Sequence, residues 1–303
     1  MTRPFVSVVV STYEWPAALD VVLGSLAEQG DDAFEVIVAD DGSGEETRAL
    51  VERWRASGRL TVDHVWQPNE GWRKSRILNL GALEARGDYL VFLDGDSVPR
   101  REFLRAVRRC ILPSWFVASK RLHLSQRLTG RVINEHLPVW RWSAARWLFG
   151  APREVFTTER EIARLGLLVP IRDRRRPWRP RQPEFFAPYW AYGFCFGVSR
   201  TDFERVNGFD LRFEGWGGED EDIAARLRRA GLKCGWPGPK ATMLHLWHEP
   251  KQGTTASNDP LVRQTLASDH VLAKPGLRDL EREIRVQVSA NRVAASSSSS
   301  EPV

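Results

Sequence analysis

The chain reads as an α/β protein built on a doubly wound, mostly parallel sheet. Through the first hundred residues, short apolar or β-branched runs alternate with segments whose apolar residues recur at helical spacing. Two of those runs end in acidic clusters, FEVIVADDGS at 34–43 and YLVFLDGDS at 89–97. Strand ends are where an open α/β sheet presents its ligand-binding groups.

The elements follow in order. FVSVVV at 5–10 is nearly continuous in apolar residues, as a strand covered on both faces requires. Leu19, Val22, Leu23 and Leu26 then share one helix face, with Pro16 suited to the first turn. FEVIV is the second strand, and Thr47, Leu50, Val51 and Trp54 mark the second helix. LTVDHV at 60–65 is the third strand, RKSRILNLGALEAR at 73–86 a helix stopped by Gly87, and DYLVFLD at 88–94 the fourth strand. Phe103, Val107, Cys110 and Ile111 give one more helix. Residues 113–190, rich in Pro, Arg and Trp, carry no clear period. Pattern returns at AYGFCFGVSR, 191–200, and in the amphipathic face of Ile223, Leu227 and Ala230. LRDLEREIRVQV at 277–288 is a helix, and Ser296–Ser300 has the composition of disorder. The expected organisation is a first half at 1–99, a second half at 100–255 completing the same domain, and a tail at 256–303.

Composition narrows the class. At 42% hydrophobic and 27% charged, the 303 residues are ordinary for a globular protein, and no apolar run is long enough to span a bilayer. The N-terminus moves directly into a strand without a signal-peptide pattern. Cys110, Cys195 and Cys234 are few and far apart, which predicts reduced core thiols in a cytoplasmic protein and no disulfide frame or zinc site. The net charge of +5 is concentrated in Arg172, Arg174, Arg175, Arg176, Arg179 and Arg181. That run suits an anionic membrane surface or a phosphate-bearing ligand, and equally a solvated loop. Trp140, Trp142 and Trp147 before it are either stacking faces for an acceptor or core.

Carboxylates gathered at one sheet edge repel unless a cation or a hydrogen-bond donor joins them, so a divalent metal and a nucleotide are the economical occupants. A carboxylate at a strand end can read the N3–H of uracil, and Asp41 suits this role with Ser11 as neighbour. Asp40-Asp41-Gly42-Ser43 is also good turn sequence. Asp94-Gly95-Asp96 places two carboxylates where both can approach Mn²⁺ or Mg²⁺, with Gly95 allowing close backbone approach to a ligand. Val98 and Pro99 exclude an EF-hand. Arg73, Lys74 and Arg76 crowd a helix start, where cations are unfavourable without an anion; Arg76 is the chosen contact to the donor nucleotide and its leaving diphosphate. In Gly215-Trp216-Gly217-Gly218-Glu219-Asp220-Glu221-Asp222, Trp216 offers a stacking face for a sugar and Asp220 a general base toward an acceptor hydroxyl. His245 and His248 could complete a metal shell begun by Asp96, or be ordinary core or surface residues. No metalloprotease motif is present.

Taken together, VSVVVSTYEWPAALDVVLGSLAEQ, FEVIVADDGSGEET and GDYLVFLDGDSVP resemble the family-2 glycosyltransferases. YGFCFGVSRTDFERVNGFD, FEGWGGEDEDIAARLRRAG and HLWHE are similar to the beta-1,4-galactosyltransferases and chondroitin polymerases. The resemblance implies a GT-A (Rossmann-like) fold and an inverting, metal-dependent hexosyltransferase. It implies uridine contacts from Ser11 and Asp41, and a metal held by Asp96 with Asp94 nearby. Asp220 would be the base, Glu219 and Asp222 sugar contacts, His248 a metal ligand and His245 a secondary one. The implied donor is a nucleotide sugar, UDP-linked, carrying a hexose or N-acetylhexosamine. The implied acceptor is a glycan or lipid-linked hydroxyl in cell-surface polysaccharide or lipopolysaccharide synthesis, at the inner face of the membrane. Two other readings remain. A sugar-nucleotide nucleotidyltransferase needs a Gly-rich phosphate loop that VVVSTYEWP lacks, and a non-catalytic carbohydrate- or nucleic-acid-binding protein fits poorly with three acidic clusters that would oppose a polyanion.

Overall fold

Side chains on neighbouring strand positions point to opposite faces, so a strand without polar residues must be covered on both. In the computed structural model, which describes residues 3–149, 195–249 and 258–298, that requirement is met by a seven-stranded sheet with helices on each side. Its N-terminal strands are β1 (Val6–Thr12), β2 (Phe34–Asp40), β3 (Val62–Trp66) and β4 (Tyr89–Asp94). β1 pairs in parallel with β2 and β4, and β2 with β3. Val6, Val8 and Val10 of β1 pack on one face with Leu19 and Leu23 of α1 (Pro16–Leu26) and Leu50 and Val51 of α2 (Glu45–Ala56). Val9, Ile37 and Ala39 pack on the other with Ile77 and Leu78 of α3 (Lys74–Glu84).

After β4 come the short elements β5 (Ser97–Val98), α4 (Phe103–Arg108), β6 (Trp115–Ala118), β7 (Arg121–His123), α5 (Gln126–Asn134) and α6 (Ala144–Phe149). Strands of two to four residues show too few alternations to be read from periodicity, which is why 113–149 looked patternless. Beyond the undescribed segment come β8 (Cys195–Ser199), α7 (Arg200–Arg205), α8 (Glu219–Arg229), β9 (Lys233–Gly235), β10 (Met243–His245), α9 (Asp259–Ala267) and α10 (Leu277–Ser298).

The large sheet runs β3-β2-β1-β4-β8-β6-β9, with β8 antiparallel to both β4 and β6. A second sheet, β5-β10-β7, stands at the C-terminal end of β4. In it, β10 pairs antiparallel with β5, setting His245 opposite Ser97, next to Asp96. This small sheet carries the histidines to the Asp-Gly-Asp turn.

Several expectations change here. Trp147 is fully buried and packs on Trp142, while Trp140 and Trp142 lie partly buried against the same core. The three tryptophans are therefore packing residues. α10 continues through Ser298, taking in three of the serines expected to be disordered; each added helical residue gains a backbone hydrogen bond against a modest serine penalty. The Arg172–Arg181 run lies outside the described residues. Cys110, Cys195 and Cys234 are buried and unpaired, and burial pushes their thiols up to about 11, 12 and 11. Among the described residues, no helix is long and apolar enough to cross a membrane.

Candidate active site

The C-terminal ends of β1, β2 and β4 lie side by side, with Ser11 in register with Asp94 and Thr12 with Asp40. The two aspartates of the first cluster divide. Asp40 serves the turn: its carboxylate accepts from Ser43 N at 2.8 Å and pairs with His64 Nε2 at 3.0 Å. Asp41 accepts from Gln67 Nε2 at 2.5 Å and from Arg73 N at 2.9 Å. Burial raises its carboxyl above the usual value, against the pull of those donors. Arg76 donates to Gln67 Oε1 at 3.0 Å and pairs with Glu283 of α10 at 2.8 Å. Arg76 thus belongs with Asp41 and Gln67, lining a cavity of about 570 Å³ with Arg73, Phe213 and Glu283. It makes no described contact with the Asp-Gly-Asp turn.

Lys74 reaches that turn. Its Nζ lies 2.7 Å from Asp94 Oδ1 and 3.1 Å from Glu219 Oε1. Burial opposes the ammonium, but Asp94, Glu219 and Asp220 outweigh it and hold its pKa well above the ordinary value. Ser11 Oγ donates weakly to Leu93 O and Asp94 Oδ1, each at 3.4 Å. Gly95 is required by the chain itself: Gly95 N donates to Ser11 O at 2.8 Å, and a Cβ there would lie 2.7 Å from that oxygen. Close approach to β1 explains this glycine.

Asp96, His245 and His248 offer three donor atoms within 4.8 Å of one another. Each oxygen of Asp96 faces one imidazole, with Oδ1 to His245 Nε2 and Oδ2 to His248 Nε2 both at 3.5 Å. That is long for a hydrogen bond, whereas donors about 2.1 Å from a shared ion stand about 3.0–3.4 Å apart in octahedral or tetrahedral arrangement. His248 Nδ1 sits 2.9 Å from Glu249 O, which fixes the tautomer leaving Nε2 as an acceptor for a metal. Burial, Arg121 and His248 push the His245 pKa down to about 3, so its ring is neutral at ordinary pH. Burial and Asp94 raise Asp96 to about 6. The donor set fits a divalent cation, and its two imidazoles favour a first-row ion over Mg²⁺.

Across the cleft, the Gly-Trp-Gly-Gly loop is tied to the entry of α3 by Gly215 N donating to Trp72 O at 2.9 Å. Trp216 is exposed on this loop. Gly218 has φ +93°, and a Cβ would lie 2.7 Å from Val262. Glu219 is buried against Lys74, and Asp220, half-buried, follows it in the first turn of α8. Asp222 is not part of the cleft lining. It is 2% exposed, one oxygen holding Arg226 at 2.5 and 2.9 Å and the other accepting from Thr265 Oγ1 at 2.8 Å. Its sugar-binding assignment is corrected on that ground, since the carboxylate is sunk between α8 and α9 and paired with a buried guanidinium. Sequence reasoning also missed Gln67 and Arg121. The Asp222–Arg226 spacing of four was a readable sign of an intrahelical pair.

With this geometry in hand, comparisons give consistent matches. Residues 7–110 match the family model for Glycosyl transferase family 2, and residues 180–249 that for the N-terminal domain of galactosyltransferase. Validoxylamine A glucosyltransferase of Streptomyces hygroscopicus subsp. limoneus is 31% identical over 242 residues, 76% of this chain and 49% of that protein. The chain thus spans about half the length of that relative. The fold is shared with a Pyrobaculum calidifontis mannosyltransferase solved with GDP-Man and Mn²⁺, at TM-score 0.56 and 20% identity, covering 100% of this chain and 77% of the other. It is shared too with S. aureus TarS 1–349 solved with UDP-GlcNAc, at TM-score 0.58 and 16% identity, covering 86% and 64%.

Proposed function

We propose that the chain, family-2-like in its N-terminal half and galactosyltransferase-like in its C-terminal half, is a GT-A glycosyltransferase acting as an inverting, metal-dependent hexosyltransferase. The observation that carries the proposal is the meeting of the Asp96–His245–His248 donor set with the Asp94–Lys74–Glu219 bridge, one residue before Asp220. Asp96, His245 and His248 would hold Mn²⁺ in preference to Mg²⁺. A bound cation would neutralise charge on the leaving diphosphate. Asp41, with Gln67 and Arg76 behind it, receives the imide of the base, and Ser11 and Asp94 lie toward the ribose. Asp220 takes the proton of the acceptor hydroxyl as its oxygen forms the new bond to the anomeric carbon. The bond from that carbon to the phosphate oxygen breaks on the opposite face, so configuration inverts. Trp216 gives the acceptor sugar a stacking face.

The donor we favour is a UDP-linked hexose or N-acetylhexosamine, and the acceptor a glycan or lipid-linked hydroxyl of a cell-surface polysaccharide or lipopolysaccharide, made on the cytoplasmic side. The Arg172–Arg181 run is proposed to contact a phosphate-bearing acceptor or an anionic membrane. The test is hydrolysis of a panel of UDP-, GDP- and dTDP-sugars by the purified chain with Mn²⁺, Mg²⁺ or EDTA. We expect turnover of a UDP-sugar with Mn²⁺, lost in EDTA and in Asp96→Ala. Full activity in chelator would sink the metal-dependent reading.

A further inference from the structure

α3 begins with cations. Lys74 is its first residue, Arg73 its cap, and its first turn holds no acidic side chain, so the helix dipole and these charges oppose each other. Compensation comes from elsewhere in the chain: Asp94 at the end of β4 and Glu219 at the start of α8. An ammonium with three donors can hold both carboxylates at once. The Gly215 N to Trp72 O hydrogen bond closes the same seam two residues before Lys74.

Asp94 lies two residues from Asp96, and a carboxylate so placed is itself a good ligand for a divalent ion. Yet the clustered donors are Asp96, His245 and His248, without Asp94. Asp94 is held most closely by Lys74 at 2.7 Å, with Ser11 Oγ at 3.4 Å and the Arg121 charge also acting on it.

We propose that Lys74 is a positioning residue that keeps Asp94 out of the cation's shell and, through Glu219, seats the turn carrying Asp220 against the donor side. This rests on the metal-dependent transfer proposed above. Without the ammonium, half-buried Asp94 and buried Glu219 face one another as like charges. Asp94 then turns to the cation at Asp96, and Glu219 moves away with the first turn of α8.

Titration of Mn²⁺ into the donor-free full-length chain, followed by electron paramagnetic resonance, reads the first effect without turnover. Lys74→Met keeps the aliphatic stem and removes the charge. Gaining a carboxylate ligand, it should bind Mn²⁺ at least about threefold more tightly, and adding Asp94→Asn should return the affinity to that of the unaltered chain. In transfer assays kcat should fall at least about tenfold in Lys74→Met and largely recover in Lys74→Arg, which can span the same two carboxylates. If Lys74→Met does not fold, Lys74→Met/Glu219→Gln leaves no additional buried charge and gives the same readout for Asp94. An unchanged Mn²⁺ affinity in the folded variant overturns the proposal. Failure of the unaltered chain to bind Mn²⁺, or equal binding by Asp96→Ala, instead overturns the metal centre and this inference with it.

Discussion

Asp220 and Asp222 are two residues apart on the first turn of α8, and their surroundings differ. Asp220 is half-buried beside the Lys74–Glu219 pair, and its field acts on that ammonium. Replacing it with asparagine keeps the shape and removes the proposed proton acceptor. Asp220→Asn should therefore lower kcat by roughly 10²-fold with donor affinity little changed, as measured by steady-state kinetics beside nucleotide titration. An unchanged kcat would move the base to Glu219. Asp222 is locked to Arg226, which is itself 2% exposed and donates to Val206 O at 2.8 Å. Asp222→Ala leaves a buried guanidinium without its partner, a change that costs about 3–5 kcal/mol. Denaturant unfolding should show this loss, and activity lost there would reflect unfolding. An unfolding free energy within about 1 kcal/mol of the unaltered chain would contradict it.

Between elements, the tie from the α1–β2 loop to α4 is also ionic. Asp31 accepts from Arg108 Nε at 2.6 Å and Nη2 at 3.0 Å, from Ala33 N at 3.1 Å, and pairs with Arg3 at 2.5 Å. Burial would raise its pKa, but Arg108, the Ala33 amide and Arg3 prevail and hold it below the ordinary 3.8. A carboxyl depressed in the folded state stabilises above its unfolded pKa, and that contribution is lost as pH falls through the folded value. Asp31→Asn should thus lower the melting temperature at pH 7, by the equivalent of about 1.5–3 kcal/mol for hydrogen bonds to a charged group. The gap should close as pH falls below 3.8. Melting curves from pH 7 to 2.5 check this, and a constant gap would show that charge is not the cause.

At the scale of the molecule, long apolar runs were legible because β1, β2 and β4 are covered on both faces and need nothing from distant residues to be recognised. The acids Asp41, Asp94 and Asp96 were legible for a related reason, since each follows such a run. Lys74 was not, because a cation at a helix start looks unfavourable until Asp94 and Glu219 are brought to it by the fold. Gln67 and Arg121 were hidden in the same way, by contacts that only the assembled strands create. The strand order has a further consequence. β8, from the galactosyltransferase-like half, pairs antiparallel along Tyr89–Leu93 of β4 and covers its outer edge. A fragment ending at residue 99 would leave that edge bare over an apolar run, a template for pairing with other copies. Expressed alone it should sediment as aggregates, and co-expression with residues 100–303 should return it to solution; a monomeric fragment in analytical ultracentrifugation would refute this. Chimeras that trade one family's half for another at this junction would then fail unless β8 travels with β4, so the unit of exchange is the paired ladder and not the stretch of sequence each family matches.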